Sequence, residues 1–469
     1  MTPFVLETGV ALLMLVVLAV HLVTHGEDRG VIAWLALGGV TALTVLALAV
    51  PPAVPAFGGS FVQDGLALFA KRLFLAATVI GLLGGMGQPG HAFARRAGEY
   101  HLLLLASLLG MLVLASARDL VLLFVAFELM SIPLYVLSGF AKREATAVEA
   151  ALKFFLVGSV SSAVMAYGLS FVYGAAKTTS LAGVAQAMGG GDPLLVLGLL
   201  MAFVGLGFKI AAFPFHMWVP DAYEAAATPF VAWLSVAPKA AGFVALFRVY
   251  FEGVGPQAGP WGSLAALLAT ITILAGNLMA LPQQNAKRLL AYSGIAHIGY
   301  LLIGVAAASA AGTAMVLFYL VAYVFGNMGA FLVVEAVARA EGSEHLSAFR
   351  GLAQRSPLLA LAMLLFLLSL GGVPFVAGFW AKLYVFWAAA AAGLYWLVLV
   401  GAVLTVVALF YYLVVAKRMY IEAPARLDRV PISAPLALAV LLCVLGVVIV
   451  GVYPKPVVMA ALLVASPLF

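Results

Sequence analysis

Four ionisable residues stand in stretches that are otherwise apolar. Glu128 lies in DLVLLFVAFELMSIPLYVL, Lys209 in VGLGFKIAAFPFHMW, Lys239 in FVAWLSVAPKAAGFVALF and Lys382 in GGVPFVAGFWAKLYVF. A charge at the middle of a membrane helix costs about 2.5–3.5 kcal/mol on insertion scales, so four left unpaired would cost on the order of 10 kcal/mol. They must pair, lose charge or face buried water. Burial weakens a lysine's hold on its proton, and a carboxylate alongside restores it. A lysine whose partner comes and goes is therefore a switchable proton carrier, and several linked by water would pass protons through the membrane plane. His297, in YSGIAHIGYLLIG, has an intrinsic pKa near neutrality and suits a relay position. The competing reading is that these charges only fix helix packing. Four mid-span groups and a histidine weigh against it, because so large an insertion cost is seldom sustained for packing alone.

Other charges read differently. Lys153 lies only two turns into its apolar run, so it either joins the relay or snorkels to the interface. Arg248 reads as an interfacial anchor at the end of its run, and Glu335 as peripheral.

The elements that must hold these groups follow from composition. Of 469 residues, 65% are hydrophobic and 9% charged, which excludes a water-soluble domain because its surface would be one apolar patch. Ten-residue segments of alternating polarity, the mark of a membrane barrel, are absent from the sequence. The chain is expected to be an all-α polytopic membrane protein. Charges, prolines and glycines divide it into fourteen spans, at 4–23, 31–50, 61–86, 99–116, 119–139, 145–174, 193–217, 228–251, 261–281, 287–309, 312–339, 356–389, 394–421 and 432–452. Phe4 to Val23 reads as a permanent first helix, since no basic segment precedes it and Glu7 comes early. The single Cys443 can make no internal disulfide and cannot hold a cluster or zinc alone.

Loops after the odd-numbered spans carry fourteen Lys and Arg residues, against five on the opposite side even when Lys71 and Arg72 are counted there as snorkelling outward. This bias places both termini outside. It also accounts for the net charge of +6 without nucleic acid as a partner; membrane lipid is the expected surroundings.

Proline and glycine interrupt two lysine-bearing spans, at KIAAFPFHMWVP after Lys209 and at SLGGVPFVAGFWAK before Lys382. A break in lipid is tolerated only where protein or a water-filled cavity satisfies the freed backbone. Two such spans, five apart, suggest inverted five-helix repeats at 99–251 and 261–421. Three N-terminal helices (1–98) and a C-terminal helix with its tail (422–469) would flank them. His21 and His25 have ligand spacing but no second histidine pair, and read as interfacial. MGGGDP at 188–193 reads as a flexible loop rather than a phosphate cradle.

At these residues the chain resembles the N-type antiporter-like membrane subunits of bacterial respiratory complex I, NADH–quinone oxidoreductase. FELMSIPLYVLSGF, EAALKFFLVGS, GLGFKIAAFPFHMWVPDAYEAAATP, SVAPKAAG, NLMALPQQNAKRLLAYSGIAHIGY and GVPFVAGFWAKLYVF carry the resemblance, in order, across about 120 to 390. The chain lacks the long lateral helix expected of the L-type paralogue. The resemblance implies fourteen helices, two inverted repeats containing broken helices, and a hydrated polar axis. In it Glu128 pairs with Lys209, Lys239 and His297 continue the axis, Lys382 marks its far end, and Lys153 is a further relay lysine. Asp221 and Glu224 match an acidic inner loop.

The resemblance also implies a non-redox subunit of a proton-translocating oxidoreductase in the bacterial inner membrane. FMN, iron–sulfur clusters and quinone would be held by other chains, no cofactor or metal by this one, and the partners would be subunits such as M and K. Alternatives are a subunit of a multi-subunit cation/proton antiporter, of a membrane-bound hydrogenase or of a respiratory complex with another donor, or a structural spacer.

Overall fold

A computed structural model describes residues 3–24, 30–53, 55–86, 96–255, 260–424 and 426–469. His25, Arg29 and Arg95 lie outside the described residues. The helices begin with α1 (Val5–Val23), α2 (Gly30–Ala49) and α3 (Gly65–Gly85), followed by α4 (Ala97–Ser116), α5 (Leu120–Ser138) and α6 (Ala145–Ala176). Next come α7 (Leu181–Met188), α8 (Pro193–Ile210), α9 (Trp218–Ala225), α10 (Thr228–Leu234), α11 (Ala237–Phe247), α12 (Pro260–Ala280), α13 (Ala286–Ala306) and α14 (Ala310–Glu341). The chain closes with α15 (Pro357–Gly371), α16 (Ala377–Ala391), α17 (Tyr395–Tyr420), α18 (Ala434–Val452) and α19 (Lys455–Ala465).

Thirteen helices among the described residues are long and apolar enough to cross a membrane, counting α10 and α11 with the turn after them as one crossing. The chain is thus a multi-pass helical membrane protein. The expected twelfth span is two half-helices, α15 and α16, each of 15 residues and too short to cross alone. The expected tail contains α19, which packs on α3 and α14.

The breaks have local causes. Helix α8 stops at Ile210 because Ala211 turns left-handed, with φ 66°, and 211–217 runs irregularly to α9. Helix α15 stops where Gly372 takes φ 80°, a conformation that costs glycine little. A third break was not expected. The span read as 228–251 is interrupted at Ser235–Val236, where Pro238 starts a new helical turn just before Lys239.

Burial separates the helices into two kinds. Those that carry charge sit in the middle: the α10–α11 crossing and α13 are buried throughout, and α14 nearly so. Helices α1 and α2 bury only a narrow stripe and leave leucines and valines facing outward, as lipid contact allows. Helix α14, 32 residues and roughly 48 Å long, is the hub, packing against α10, α13, α15, α16, α18 and α19.

Charges expected at the interface prove buried. Arg248, read as an anchor, is 0% exposed. Its guanidinium donates to Asp64 at 2.7 Å, to Glu252 and to the Ala115 carbonyl at 2.9 Å, while Arg118 closes the cluster on Asp64 and Glu252. Burial alone would raise the Asp64 carboxyl, but the Arg248 hydrogen bond and charge hold it below its usual value. Lys71 does not snorkel either: it pairs with Glu7 at 2.6 Å and donates to Gln63 at 3.1 Å. Arg72, half-buried, donates to the Ala47 and Val50 carbonyls at the end of α2. Each cation found a protein partner across helices, and spacing along one helix does not reveal that. The 188–193 segment joins α7 to α8, with Asp192 capping α8 through the Leu194 N–H at 2.8 Å.

Candidate functional site

Lys209 sits in the last turn of α8, one residue before the break, and is 2% exposed. Its ammonium lies over the rings of Phe127 at 5.0 Å, Phe208 at 5.6 Å and Tyr135 at 5.9 Å, and makes no hydrogen bond within the protein. Such faces attract a cation but accept no proton. Glu128, one residue beyond Phe127, makes no ion pair with it. Its Oε1 instead accepts from Ser162 Oγ of α6 at 2.6 Å. The expected Glu128–Lys209 pair is therefore one of neighbourhood, with Phe127 beside Lys209, rather than of contact.

Lys239 and His297 lie on the buried central helices, and Lys382 on the half-helix α16. Lys209's stem packs against the middle of α11, where a methyl on Gly242 would lie 3.2 Å from its Cγ, and Lys239 is one turn back on α11. Lys239 is 1% exposed, its ammonium 5.4 Å from the Tyr223 ring and without a hydrogen-bond partner in the protein. Gly294 of α13 comes next: a methyl there would lie 3.3 Å from Lys239 Nζ and 3.0 Å from the Tyr323 hydroxyl. The Tyr323 ring lies 5.2 Å from the His297 ring. His297 Nδ1 is 2.7 Å from the Tyr319 hydroxyl, and Nε2 is 3.3 Å from that of Tyr412, which also hydrogen-bonds Ser293. Tyr300 then stands between His297, at 6.0 Å, and Lys382, whose ammonium is 4.6 Å from its ring. Lys209, Lys239, His297 and Lys382 are thus brought into one line, bridged by aromatic rings and hydroxyls.

The tyrosines were not singled out in the sequence. Their one visible signal is helical spacing, Tyr319 and Tyr323 lying four apart on α14.

Lys153 falls outside this line. Its side chain is 49% exposed on α6 and pairs with Glu149 at 2.9 Å and Asp221 at 3.0 Å. Asp221 and Glu224 of α9 both bind Arg288, at 2.9 and 2.8 Å. Burial would raise the Asp221 carboxyl, but hydrogen bonds from Arg288 and Lys153 hold it below its ordinary value. Glu335, read as peripheral, is 4% exposed, pairs with Arg339, and borders a cavity that Lys287 and Glu344 also line. His21 ends α1 half-buried. Among the described residues no three His, Cys, Asp or Glu side chains cluster as a metal site would need.

Interrupted helices at the centre of a multi-pass bundle, each presenting a buried lysine to one aromatic-lined line, define an antiporter-like membrane protein. The chain belongs to the NADH:quinone oxidoreductase/Mrp antiporter transmembrane family, whose model matches residues 117–408. It is 42% identical over 438 residues to NADH-quinone oxidoreductase subunit N of Moorella thermoacetica, covering 93% of this chain and 92% of that one. A chain of respiratory complex I from Thermus thermophilus has the same fold, with a TM-score of 0.83 and 33% identity over 97% of this chain and 99% of that one. A chain of the Mrp complex from Dietzia sp. shares the fold at a TM-score of 0.86 and 22% identity, covering 100% of this chain and 98% of that one.

Proposed function

We propose that the chain is the N subunit of an NADH–quinone oxidoreductase of the bacterial inner membrane, and that it moves protons along the Lys209–Lys239–His297–Lys382 line. The observation that supports this most is the state of two lysines: Lys209 and Lys239 are buried with no hydrogen-bond partner in the protein. A lysine serving only as a packing element would be expected to hold a fixed acceptor, because an unpaired buried charge is costly. A lysine that gains and loses a proton must be free to exchange partners.

In this reading Glu128 adjusts the charge balance of Lys209 from α5, and Lys153 acts at the edge of the chain rather than within the line. The redox step belongs to other subunits, which carry FMN, iron–sulfur clusters and quinone; neighbours such as subunits M and K would extend the polar line. The repeat at 99–251 would contribute the broken helices of Lys209 and Lys239 and that at 261–421 the broken helix of Lys382, and α15 with α16 would together make the fourteenth crossing. The excess of Lys and Arg in alternate loops supports both termini outside.

The experiment is NADH-driven proton pumping in native vesicles carrying Lys209→Ala, with quinone reductase activity and assembly measured alongside. Pumping and coupled turnover should fall together, tenfold or more, in an assembled complex. Wild-type pumping and turnover would make Lys209 structural and favour the spacer reading.

A further inference from the structure

Helix α14 carries a polar stripe whose tyrosines touch the lysine line and whose remaining members the line does not use. Tyr319, Tyr323, Asn327 and Glu335 are four or eight residues apart and share one face. At the inner end, Glu335 borders a cavity of about 610 Å³ that Thr228, Glu224, Lys287 and Glu344 also line. The cavity opens on the side whose loops hold the excess of Lys and Arg. Two turns deeper, Asn327 is fully buried, and its amide donates to Ser235 Oγ at 2.7 Å. Ser235 stands at the break between α10 and α11, and the Asn327 Oδ1 has no partner in the protein. One turn deeper again is the Tyr323 hydroxyl, also without a protein partner, facing the space beside Gly294 that Lys239 Nζ faces from the other side.

From Glu335 to Tyr323 the helix rises roughly 18 Å, a little over half of the ~30 Å hydrocarbon core. The stripe therefore spans the inner half of the membrane and ends at the line's middle lysine. Buried polar groups in a settled core are nearly all paired. Here three successive ones, Asn327 Oδ1, Tyr323 Oη and Lys239 Nζ, have no partner in the protein, as groups that bind water do, and the last two meet beside Gly294.

We propose that the Glu335 cavity and the α14 stripe are the intake of the line: protons enter at Glu335, pass on water by Asn327 and Ser235, and reach Lys239 through the opening at Gly294. The step conserves every bond in total. The Glu335 carboxylate takes a proton from inner water and releases it to the next water, each water accepts one and passes one on, and the neutral Lys239 amine becomes an ammonium. This rests on the proton-moving reading above.

The test uses the whole complex in native vesicles with Glu335→Gln, Glu335→Asp and Gly294→Ala, and Lys239→Ala as the control. Gln keeps the shape of Glu335 but cannot ionise; Asp keeps the proton chemistry in a shorter side chain. A methyl at 294 fills the shared space, 3.0 Å from the Tyr323 hydroxyl and 3.3 Å from Lys239 Nζ, while leaving every ionisable group in place. NADH oxidation by a soluble acceptor, which needs no proton movement, should stay at wild type in all four. Coupled turnover and pumping should fall tenfold or more in Glu335→Gln, about threefold to tenfold in Gly294→Ala, and less than threefold in Glu335→Asp. The solvent deuterium effect should rise in the slowed variants. If Gln sustains turnover and Asp does not, Glu335 is a packing residue and the proposal falls. If Glu335→Gln and Gly294→Ala both pump normally while Lys239→Ala is inactive, the intake lies elsewhere and the lysine line stands. Normal pumping by Lys239→Ala as well would overturn both.

Discussion

Lys382 Nζ donates to the carbonyl of Gly371 at 3.3 Å, so the lysine of one half-helix closes the C-terminal end of the half-helix before it. The last carbonyls of a helix carry partial negative charge and lack intrahelical donors. The break in the membrane thus supplies Lys382 with an acceptor weaker than a carboxylate, which suits the proton exchange proposed for it.

The Lys382→Arg and Lys382→Ala pair separates charge from proton exchange. Arginine would keep a positive donor near Gly371 but stays protonated throughout the accessible pH range. Lys382→Arg should assemble, and both variants should lose coupled turnover by tenfold or more, a barrier increase of about 1.4 kcal/mol. Near-normal pumping by Lys382→Arg would show that only the cap matters.

The Asp64–Arg248 pair predicts a stability defect without a relay defect. Removing one partner of a buried pair costs about 3–5 kcal/mol when the other charge is left uncompensated, and less here because Glu252 and the Ala115 carbonyl still hold Arg248. Asp64→Asn should lower the apparent Tm of the purified complex and its assembled yield. Asp64→Leu combined with Arg248→Met should recover much of the loss, since Glu252 keeps Arg118 at 2.9 Å. A double variant worse than the single would assign Arg248 more than a paired role.

Acid should loosen the acidic loop at Asp221 only when the medium is strongly acidic. Its folded pKa lies below the ordinary 3.8, so the stability it contributes is complete above about pH 3.8 and is lost as pH falls through the lower, folded value. Thermal midpoints of the complex measured downward from pH 6 should hold steady until about pH 4 and then fall. Asp221→Asn should flatten part of that fall. An unchanged profile in the variant would mean that the Lys153 and Arg288 contacts contribute nothing to stability in solution.

What was legible in the sequence was chiefly what a single helix expresses. Apolar runs of membrane length marked the crossings, and a lone Lys209, Lys239 or Lys382 inside one marked the line, because burying such a residue is costly enough to need a reason. The proline and glycine around Lys209 and Lys382 marked two breaks correctly, while the break before Lys239 hid in SVAP, where one proline opens a helix as readily as it kinks one. Partners across helices were not legible. Arg248 and Lys71 look like snorkelling residues when only their position along a helix is known. Asp64 and Glu7, which hold them, lie 184 and 64 positions away. Glu335 was set aside for the same reason: its depth depends on the walls that α10 and α13 build around it.

The Glu128 position tests whether charge acts here without contact. Ser162 Oγ holds the carboxylate at 2.6 Å, while the ring of the adjacent Phe127 lies 5.0 Å from the Lys209 ammonium. If Glu128 works by its field, then losing the negative charge matters and losing the serine hydroxyl does not, because a carboxylate has further lone pairs for water. Glu128→Gln, which keeps shape and can still accept from Ser162, should cut coupled turnover and pumping by tenfold or more in an assembled complex. Ser162→Ala should cost less than threefold. Removing the hydroxyl forfeits one charge-assisted hydrogen bond, of about 1.5–3 kcal/mol at most, from a half-buried group. The reverse order, Ser162→Ala inactive and Glu128→Gln normal, would mean that the geometry of this bond, rather than the charge beside Lys209, is what the line requires.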